Sequence, residues 1–191
     1  MATATSTVRE YEGHQVPTPG TYALDTAHTT IEFVGRHLMI TKVRGRFTDF
    51  TGELTIGEAP EDSSVAVTID AASVDSGEPR RDEHLRSADF FDVENHPTIS
   101  FRSTGVEAGR GGLWKVTGDL TVKDVTRPVV LEVEFDGAQT SPWGDLRVGF
   151  SAATELDREA WGLTWNQALE TGGVVVGKKV RIELNVEAVR K

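Results

Sequence analysis

Four histidines and one aspartate are the side chains of this sequence best suited to metal or acid–base chemistry. Imidazole nitrogens bind zinc or iron, and a carboxylate can complete such a site or exchange a proton with a histidine. The histidine spacing matches no recognised metal-site pattern, and the sequence has no HExxH, GxSxG or phosphate-loop motif and no GxGxxG before a helix. A metal-dependent or acid–base enzyme is therefore the alternative hypothesis and not the leading one. Its candidate residues are His28, His37, His84, His96 and Asp82.

Basic side chains form a second chemical feature, because they are concentrated in two short segments of an acidic protein. Arginine and lysine could hold a phosphate or polarise a quinone carbonyl, and a histidine beside a leucine could bond to the same head group. The alternative is that these residues are solvated surface charges and structural histidines. The set comprises Arg36, His37, Lys42, Arg44, Arg46, Arg80, Arg81, His84 and Arg86.

Composition narrows the classes of function. The chain has 191 residues, no cysteine and a formal net charge of −10. Disulfides and cysteine catalysis are thereby excluded, and neither nucleic acid nor stable insertion in a membrane is expected. The first twenty residues are rich in Thr, Ser, Pro and Gly without the apolar core of a signal peptide. We therefore predict a flexible extension over residues 1–20, a single domain over residues 21–191 and a cytoplasmic protein.

Alternation of apolar and polar residues predicts the elements that position these side chains. The last strand is the clearest example, because Val180, Ile182, Leu184 and Val186 alternate with polar or charged residues. Only residues 37–41 and 79–88 suggest short helical turns, so no helix can cover a sheet. About eight long strands must then pack on each other, either as a sandwich or as a closed antiparallel barrel. Closure is favoured, and an eight-stranded barrel can enclose one small ligand.

Several segments resemble the YceI-like family, whose members are also called polyisoprenoid-binding proteins. The resemblance lies in LDTAHTTIEFVGRHLMITKVRGRFTDFTGEL (residues 24–54), RDEHLRSADFFDVENHPTISFRS, GDLTVKDVTRPVVLEVEFDG, GFSAATELDREAWGLTWN and the closing VGKKVRIELNVEAV. It implies a lipocalin-like barrel whose apolar tunnel holds an isoprenoid or a similar lipid. Two departures are the lack of a leader, which bears on the compartment, and Lys123–Asp124 in a turn where the family commonly has glycine.

An isoprenoid ligand is consistent with apolar strand faces. Burial contributes roughly 0.8 kcal/mol per methylene, so one five-carbon unit contributes about 3–4 kcal/mol before the costs of association. Apolar walls discriminate weakly, so prenyl quinones, polyprenyl phosphates and fatty amides are all expected ligands. No cofactor is expected beyond this lipid, and no catalysis. A homodimer is compatible with the sequence, and a fully packed barrel that serves as an interaction scaffold is a further alternative.

The segment of residues 80–103 interrupts the strand pattern with charges and paired phenylalanines, so we expect it to form a mouth or lid. Strand phenylalanines are expected to touch the lipid chain, and the aromatic residues near the mouth are either lid or core. The predicted ligand-binding residues are Phe33, His37, Leu38, Phe47, Phe50, Arg81, His84, Leu85, Phe90, Phe91, Phe101, Trp161 and Trp165.

Overall fold

The secondary structure consists mainly of antiparallel strands. The computed structural model describes residues 7–191. Within them lie one α-helix, α1 (Pro79–Arg86), and three 3-10 helices, Pro60–Asp62, Ala71–Ser73 and Arg158–Trp161. The strands are β1 (Val8–Tyr11), β2 (His14–Pro17), β3 (Gly20–Leu24), β4 (Thr30–His37), β5 (Thr41–Phe47), β6 (Phe50–Ile56), β7 (Ser64–Asp70), β8 (Val74–Asp75), β9 (Thr98–Ala108), β10 (Trp114–Val122), β11 (Val125–Thr140), β12 (Leu146–Asp157) and β13 (Lys179–Arg190).

Eight of these strands form a closed antiparallel barrel in the order β3, β6, β7, β9, β10, β11, β12, β13 and back to β3. The longest pairing joins β12 to β13, from Arg147 opposite Val189 to Asp157 opposite Lys179. Closure pairs each barrel strand on both sides, so the barrel itself has no exposed edge. The predicted lipocalin-like barrel of about eight strands is therefore confirmed.

The barrel wall is extended at one end by β4, β5 and β8. Strand β13 pairs with β3 near its C-terminus and with β4 near its N-terminus, and β4 continues the wall through β5 to β8. Helix α1 follows β8 directly and covers the opening beside it. The interrupted strand pattern of residues 80–103 thus corresponds to an element at one end of the barrel.

Helix α1 has local signals at both ends. The Glu78 side chain accepts a hydrogen bond from the Arg81 amide at 2.7 Å, and Pro79 occupies the first helical turn. The helix ends where Ser87 takes an extended backbone conformation. Inside the helix, Asp82 is buried and accepts hydrogen bonds from the Ser76 amide at 2.8 Å and the Ser76 hydroxyl at 2.5 Å. These bonds fix α1 to the chain that precedes it.

Residues 37–41, for which the sequence predicts a helical turn, instead form the tight turn between β4 and β5. Leu38 and Met39 have positive φ angles of 51° and 58°. The Ile40 amide donates to the His37 carbonyl at 3.0 Å, which closes the turn. The same left-handed conformation occurs at Lys123 and Asp124, the two-residue turn between β10 and β11. Paired left-handed residues are typical of hairpin turns, which explains why this segment is not helical.

The N-terminal segment contributes a hairpin to the fold. Of the extension predicted over residues 1–20, residues 1–6 lie outside the described residues. Strands β1 and β2 pair with each other, and β2 packs beside β11. Arg9 donates to the Gly57 carbonyl at 2.8 Å, and Val16 is only 3% exposed. The hairpin therefore covers one end of the barrel.

The alternation read from the sequence correctly predicts which side chains point into the barrel. Val180, Ile182, Leu184 and Val186 of β13 all line the interior, as do Val129, Leu131, Val133 and Phe135 of β11. Among residues 7–191 there is no helix with the length and apolar character needed to cross a bilayer.

Candidate functional site

The barrel interior contains two adjoining cavities. The upper cavity, at the end covered by the N-terminal hairpin, has a volume of about 230 Å³. The lower cavity, at the end covered by α1, has a volume of about 510 Å³. Pockets for small molecules span roughly 300–1,000 Å³, so the interior has the size of a ligand site. Both cavities are lined by Ile31, Ile69, Leu120, Leu156 and Ile182.

The upper cavity is almost wholly apolar. Its walls are aliphatic and aromatic side chains of the barrel strands, and Val16 and Pro17 of the N-terminal hairpin lie at its end. Arg9 also reaches this end, but its side chain already donates to the carbonyls of Pro17 and Gly57. The cavity can therefore accommodate a hydrocarbon chain but offers little to recognise a polar group.

Polar side chains concentrate at the lower cavity, where they form a mouth. Five residues of the predicted cluster line it: Arg36 and His37 from the end of β4, and Arg80, Arg81 and His84 from α1. Arg81 donates to the Ser76 hydroxyl at 2.7 Å and the Ser76 carbonyl at 3.0 Å. Within residues 7–191, neither Arg36 nor Arg80 has a carboxylate within 4 Å. Two arginines are thus available to a negatively charged or electron-rich group at this mouth.

Glycines position two of the phenylalanines that line the interior. A Cβ atom at Gly45 would lie 2.2 Å from the Phe33 ring, and one at Gly118 would lie 2.4 Å from the Phe101 ring. Each glycine on a neighbouring strand therefore leaves the space that its phenylalanine occupies. Phe33 lines the lower cavity and Phe101 the upper one.

Aromatic rings pack around His84, a residue of α1. The His84 ring lies edge-on to Trp165 at 4.6 Å and to Phe90 at 5.0 Å between ring centroids. Its Nε2 atom lies 2.8 Å from the Asp89 carboxylate. In the same cavity lining, the Trp161 indole N–H donates to the Leu120 carbonyl at 3.0 Å. His84 and Trp161 thus have protein partners while they line the cavity, so both also serve the fold.

The structure brings most of the predicted ligand-binding residues together. Two of them line neither cavity: Leu38 lies exposed in the β4–β5 turn, and Phe50 is buried in the adjacent hydrophobic core at the start of β6. Leu38 is displaced because the left-handed turn carries it beyond the end of β4. Phe101 lines the upper cavity. The residues that line the lower cavity are Phe33, His37, Phe47, Arg81, His84, Leu85, Phe90, Phe91, Trp161 and Trp165.

Arg158 is a cavity residue that the sequence does not reveal. Arg158 is only 7% exposed. Its guanidinium donates to the carbonyls of Gly177 at 2.9 Å, Leu163 at 2.5 Å and Val176 at 3.4 Å. No carboxylate of the described chain lies within 4 Å of it. Burial lowers the pKa of Arg158 from its usual value, and the nearby carboxylates of Glu159 and Asp157 partly offset this decrease. A buried cation therefore lies in the wall of the lower cavity and fixes the loop of residues 163–177.

Three other basic residues of the predicted cluster lie on the outer surface. Lys42, Arg44 and Arg46 share one face of β5, as the alternation predicts, but that face is exposed. Arg44 donates to Glu183 at 2.6 Å, and Arg46 donates to Asp75 at 3.2 Å. They therefore do not contribute to the cavity wall.

The histidines of the alternative enzyme hypothesis have separate surroundings. His28 bonds to Asp25 and His84 to Asp89, whereas His96 lies 3.1 Å from Asp124. In the part of the chain that the structure describes, the one group of three potential metal ligands is Asp25, His28 and Glu187. Its two carboxylates contact the Arg147 guanidinium, at 2.6 Å in the case of Asp25. Arginine therefore occupies the position in which a cation would bind.

The contacts of Asp25 with His28 and Arg147 predict that the stability of the fold depends on pH. Hydrogen bonds from His28 and Arg147 lower the pKa of Asp25 from 3.8 to about 2. Because the folded-state pKa is lowered, the stabilisation is complete above the unfolded-state pKa and is lost as the pH falls from about 5 towards 2. We expect Asp25→Asn to reduce the free energy of unfolding by about 1–2 kcal/mol at pH 7 and by less at pH 3. Urea unfolding at both pH values measures this difference.

The control for this prediction is Asp119→Asn, because Asp119 is exposed on β10. It should change the free energy of unfolding little at either pH. An effect of Asp25→Asn that is equal at pH 7 and pH 3 would contradict the role assigned to the Asp25 charge.

Comparisons with known proteins agree with the fold. A UPF0312 protein of Vibrio cholerae is 39% identical over 175 residues, which cover 89% of this chain and 87% of that protein. The crystal structure of the Campylobacter jejuni YceI protein superposes with a TM-score of 0.70 at 28% identity, over 82% of this chain and 90% of that one. A polyisoprenoid binding domain from Saccharophagus degradans has a TM-score of 0.65 at 15% identity, over 89% of this chain and 98% of that domain, and shows the fold alone.

The family model of the YceI-like domain matches residues 22–188, a region that extends from within β3 to near the end of β13 and so includes every strand of the barrel. Together with the identity to the Vibrio cholerae protein, this match shows that the chain belongs to the YceI-like domain family.

Proposed function

We propose that this protein binds one long-chain lipid of the isoprenoid type inside its barrel, for carriage, storage or sequestration and without catalysis. The observation that carries the proposal is the distribution of polarity along the interior. The upper cavity and the junction between the cavities are apolar, whereas the free arginines lie at the lower mouth. An amphiphile with one polar end matches this arrangement, with its tail in the upper cavity. The polyisoprenoid binding domain of Saccharophagus degradans has the same fold.

The tail would supply most of the affinity. Each buried methylene contributes roughly 0.8 kcal/mol, and the junction residues Ile31, Leu120 and Ile182 offer a continuous aliphatic surface to it. Such walls distinguish ligands by length and width and not by functional group. Prenyl quinones, polyprenyl phosphates and fatty amides of similar width are therefore all compatible with the tail site.

The head group would be selected at the lower mouth. Arg36 and Arg80 lie there without a carboxylate partner among residues 7–191, and Glu78 is the acidic residue in the same lining. Arginine favours phosphate because its N–H groups form paired, charge-assisted hydrogen bonds. We therefore expect a polyprenyl phosphate to bind more tightly than the uncharged prenol of equal length.

Replacing both free arginines tests this assignment. We expect Arg36→Gln together with Arg80→Gln to weaken binding of a polyprenyl phosphate about tenfold, because two charge-assisted contacts are lost, and to leave binding of the matching prenol nearly unchanged. Competition against a fluorescent prenyl probe measures both affinities in the same purified protein.

The matched control is Arg44→Gln together with Arg46→Gln, which removes two arginines from the outer face of β5. It should leave the preference for phosphate intact. Equal losses for the two double variants, or an equal loss for phosphate and prenol, would contradict head-group recognition at the lower mouth.

A further inference from the structure

The turn between β4 and β5 exposes three consecutive apolar side chains. Leu38, Met39 and Ile40 are 37%, 56% and 75% exposed. The remaining large apolar residues with high exposure in residues 7–191 are Val130 and Trp143, which lie apart from each other and from this turn. Scattered exposed apolar residues are ordinary, whereas a contiguous group marks a surface that binds something apolar. We call Leu38, Met39 and Ile40 the apolar tip.

The apolar tip is held in place by its backbone. The Leu38 amide donates to the Val175 carbonyl at 2.8 Å, and the Gly177 amide donates to the Arg36 carbonyl at 2.9 Å. The φ angles of Leu38 and Met39 are positive, a conformation that L-residues with a Cβ atom seldom adopt. The turn therefore presents these side chains to solvent in a defined geometry although the barrel offers them no cover.

Basic residues lie close to the apolar tip. Arg36 and His37 precede it, Lys42 follows it, and Arg80 lies across the mouth on α1. Within residues 7–191, none of the three fully charged residues in this group has a carboxylate within 4 Å. The whole protein has a net charge of −10, whereas the stretch from Arg36 to Lys42 contains two arginine or lysine residues and no acidic residue. Apolar side chains flanked by arginine and lysine are complementary to an anionic bilayer, which offers phosphates at its surface and hydrocarbon beneath.

The apolar tip also lies beside the opening of the lower cavity. Arg36 and His37 line that cavity, and so do Val175 and Val176, which bond to the turn and to the end of β4. A surface that contacted the tip would thus face the mouth through which a lipid must pass. The exposed Trp143 lies in the β11–β12 turn at the opposite end of the barrel.

We propose that the apolar tip inserts into the surface of an anionic lipid bilayer, with Arg36, Lys42 and Arg80 on the lipid phosphates, so that the lower mouth opens onto the membrane. The proposal rests on the proposed function, because a docked mouth has a role only if a lipid passes through it. Docking of this kind would let the ligand move between bilayer and barrel without crossing water.

Co-sedimentation with vesicles tests the proposal on the full chain. The vesicles are phosphatidylcholine alone or phosphatidylcholine mixed with phosphatidylglycerol. We expect the protein to bind the anionic vesicles at least about tenfold more tightly than the neutral ones, and to lose this binding in high salt. Met39→Asp together with Ile40→Asp should reduce binding to the anionic vesicles by about tenfold or more. Trp143→Asp, the control at the far end of the barrel, should leave it unchanged.

Three results would overturn the proposal: no vesicle binding by the unmodified protein, equal losses for the tip variant and Trp143→Asp, or self-association through the tip without vesicle binding.

Lipid retained by the tip variant is measured separately, by extraction and mass spectrometry, and is expected to equal that of the unmodified protein. Absence of retained lipid from both proteins alongside intact vesicle binding would contradict the proposed function but not docking. Intact retention without vesicle binding would contradict docking alone.

Discussion

An Ala152→Phe variant is expected to lose at least about tenfold in affinity for a long-chain lipid. Ala152 lines the upper cavity opposite Leu184, and a phenyl ring there would occupy much of a volume of about 230 Å³. Exclusion of one isoprene unit from the cavity removes the burial of about five carbons, at roughly 0.8 kcal/mol of binding free energy each. Relaxation of the cavity wall around the new ring recovers only a part of this loss. Titration with a series of prenyl chains measures the effect, which should be smallest for the shortest chain.

The neighbouring alanine provides the control. Ala153 pairs with Glu132 and Glu183 and lines neither cavity, so Ala153→Phe should bind every chain length as the unmodified protein does. The smaller change Ala152→Leu should have an intermediate effect, which guards against a loss caused by misfolding. If Ala152→Phe and Ala153→Phe bound long chains equally well, the tail would not lie in the upper cavity.

The second large effect is expected on stability, at Arg158. Replacement by methionine removes the donor to the carbonyls of Gly177, Leu163 and Val176. A buried acceptor left without its hydrogen bond costs about 1–3 kcal/mol. The total is smaller than three such costs, because relaxation of the loop of residues 163–177 would give some of the three carbonyls other hydrogen-bond donors. We therefore expect Arg158→Met to lower the free energy of unfolding by about 2–4 kcal/mol in chemical denaturation.

Two further variants make this result specific. Arg102→Met changes an exposed arginine on β9 and should alter stability by less than about 0.5 kcal/mol. Arg158→Lys keeps the charge but cannot reach three carbonyls in the geometry of a guanidinium, so it should recover only part of the loss. Full recovery by lysine would show that the charge of Arg158, and not its hydrogen bonds, stabilises the loop.

The barrel could be predicted from the sequence because its signal is periodic and repeated. The rows of β11 and β13 alternate over many residues, and each row has one buried face, so pattern alone identifies the inward side chains. Lack of a helix able to cover a sheet then leaves closure as the favoured arrangement. The N-terminal hairpin has no such signal, since β1 and β2 are only four residues long each.

The candidate site could be predicted in part. The charged and aromatic segment around α1 does form one wall of the lower cavity, because it interrupts the strand pattern where the barrel needs a cover. Alternation groups Lys42, Arg44 and Arg46 on one face but does not say whether that face is inner or outer. Arg158 follows β12 in a 3-10 helix, where a charged residue is ordinarily solvated, and nothing in its neighbours indicates that it turns inward.

Leu38 and Phe50 illustrate the limit of assigning roles to single residues at strand ends. Leu38 follows β4 directly, but a change of backbone conformation to positive φ places it outside the cavity. Phe50 begins β6 after a two-residue break from β5, and it packs in the core beside the cavity. Turn geometry decides the position of Leu38, and the residues of that turn include no glycine or asparagine that would signal it.

Native mass spectrometry of the full chain, purified without detergent, shows whether the barrel holds a lipid, and the same sample is then extracted with organic solvent and scanned for metals. We expect one lipid per chain, with a hydrocarbon tail of isoprenoid type and a polar end that binds the lower mouth. A protein that contains no lipid, and that takes up neither a polyprenyl phosphate nor a prenyl quinone on mixing, would contradict this expectation. Stoichiometric metal in place of lipid would favour the enzyme hypothesis instead.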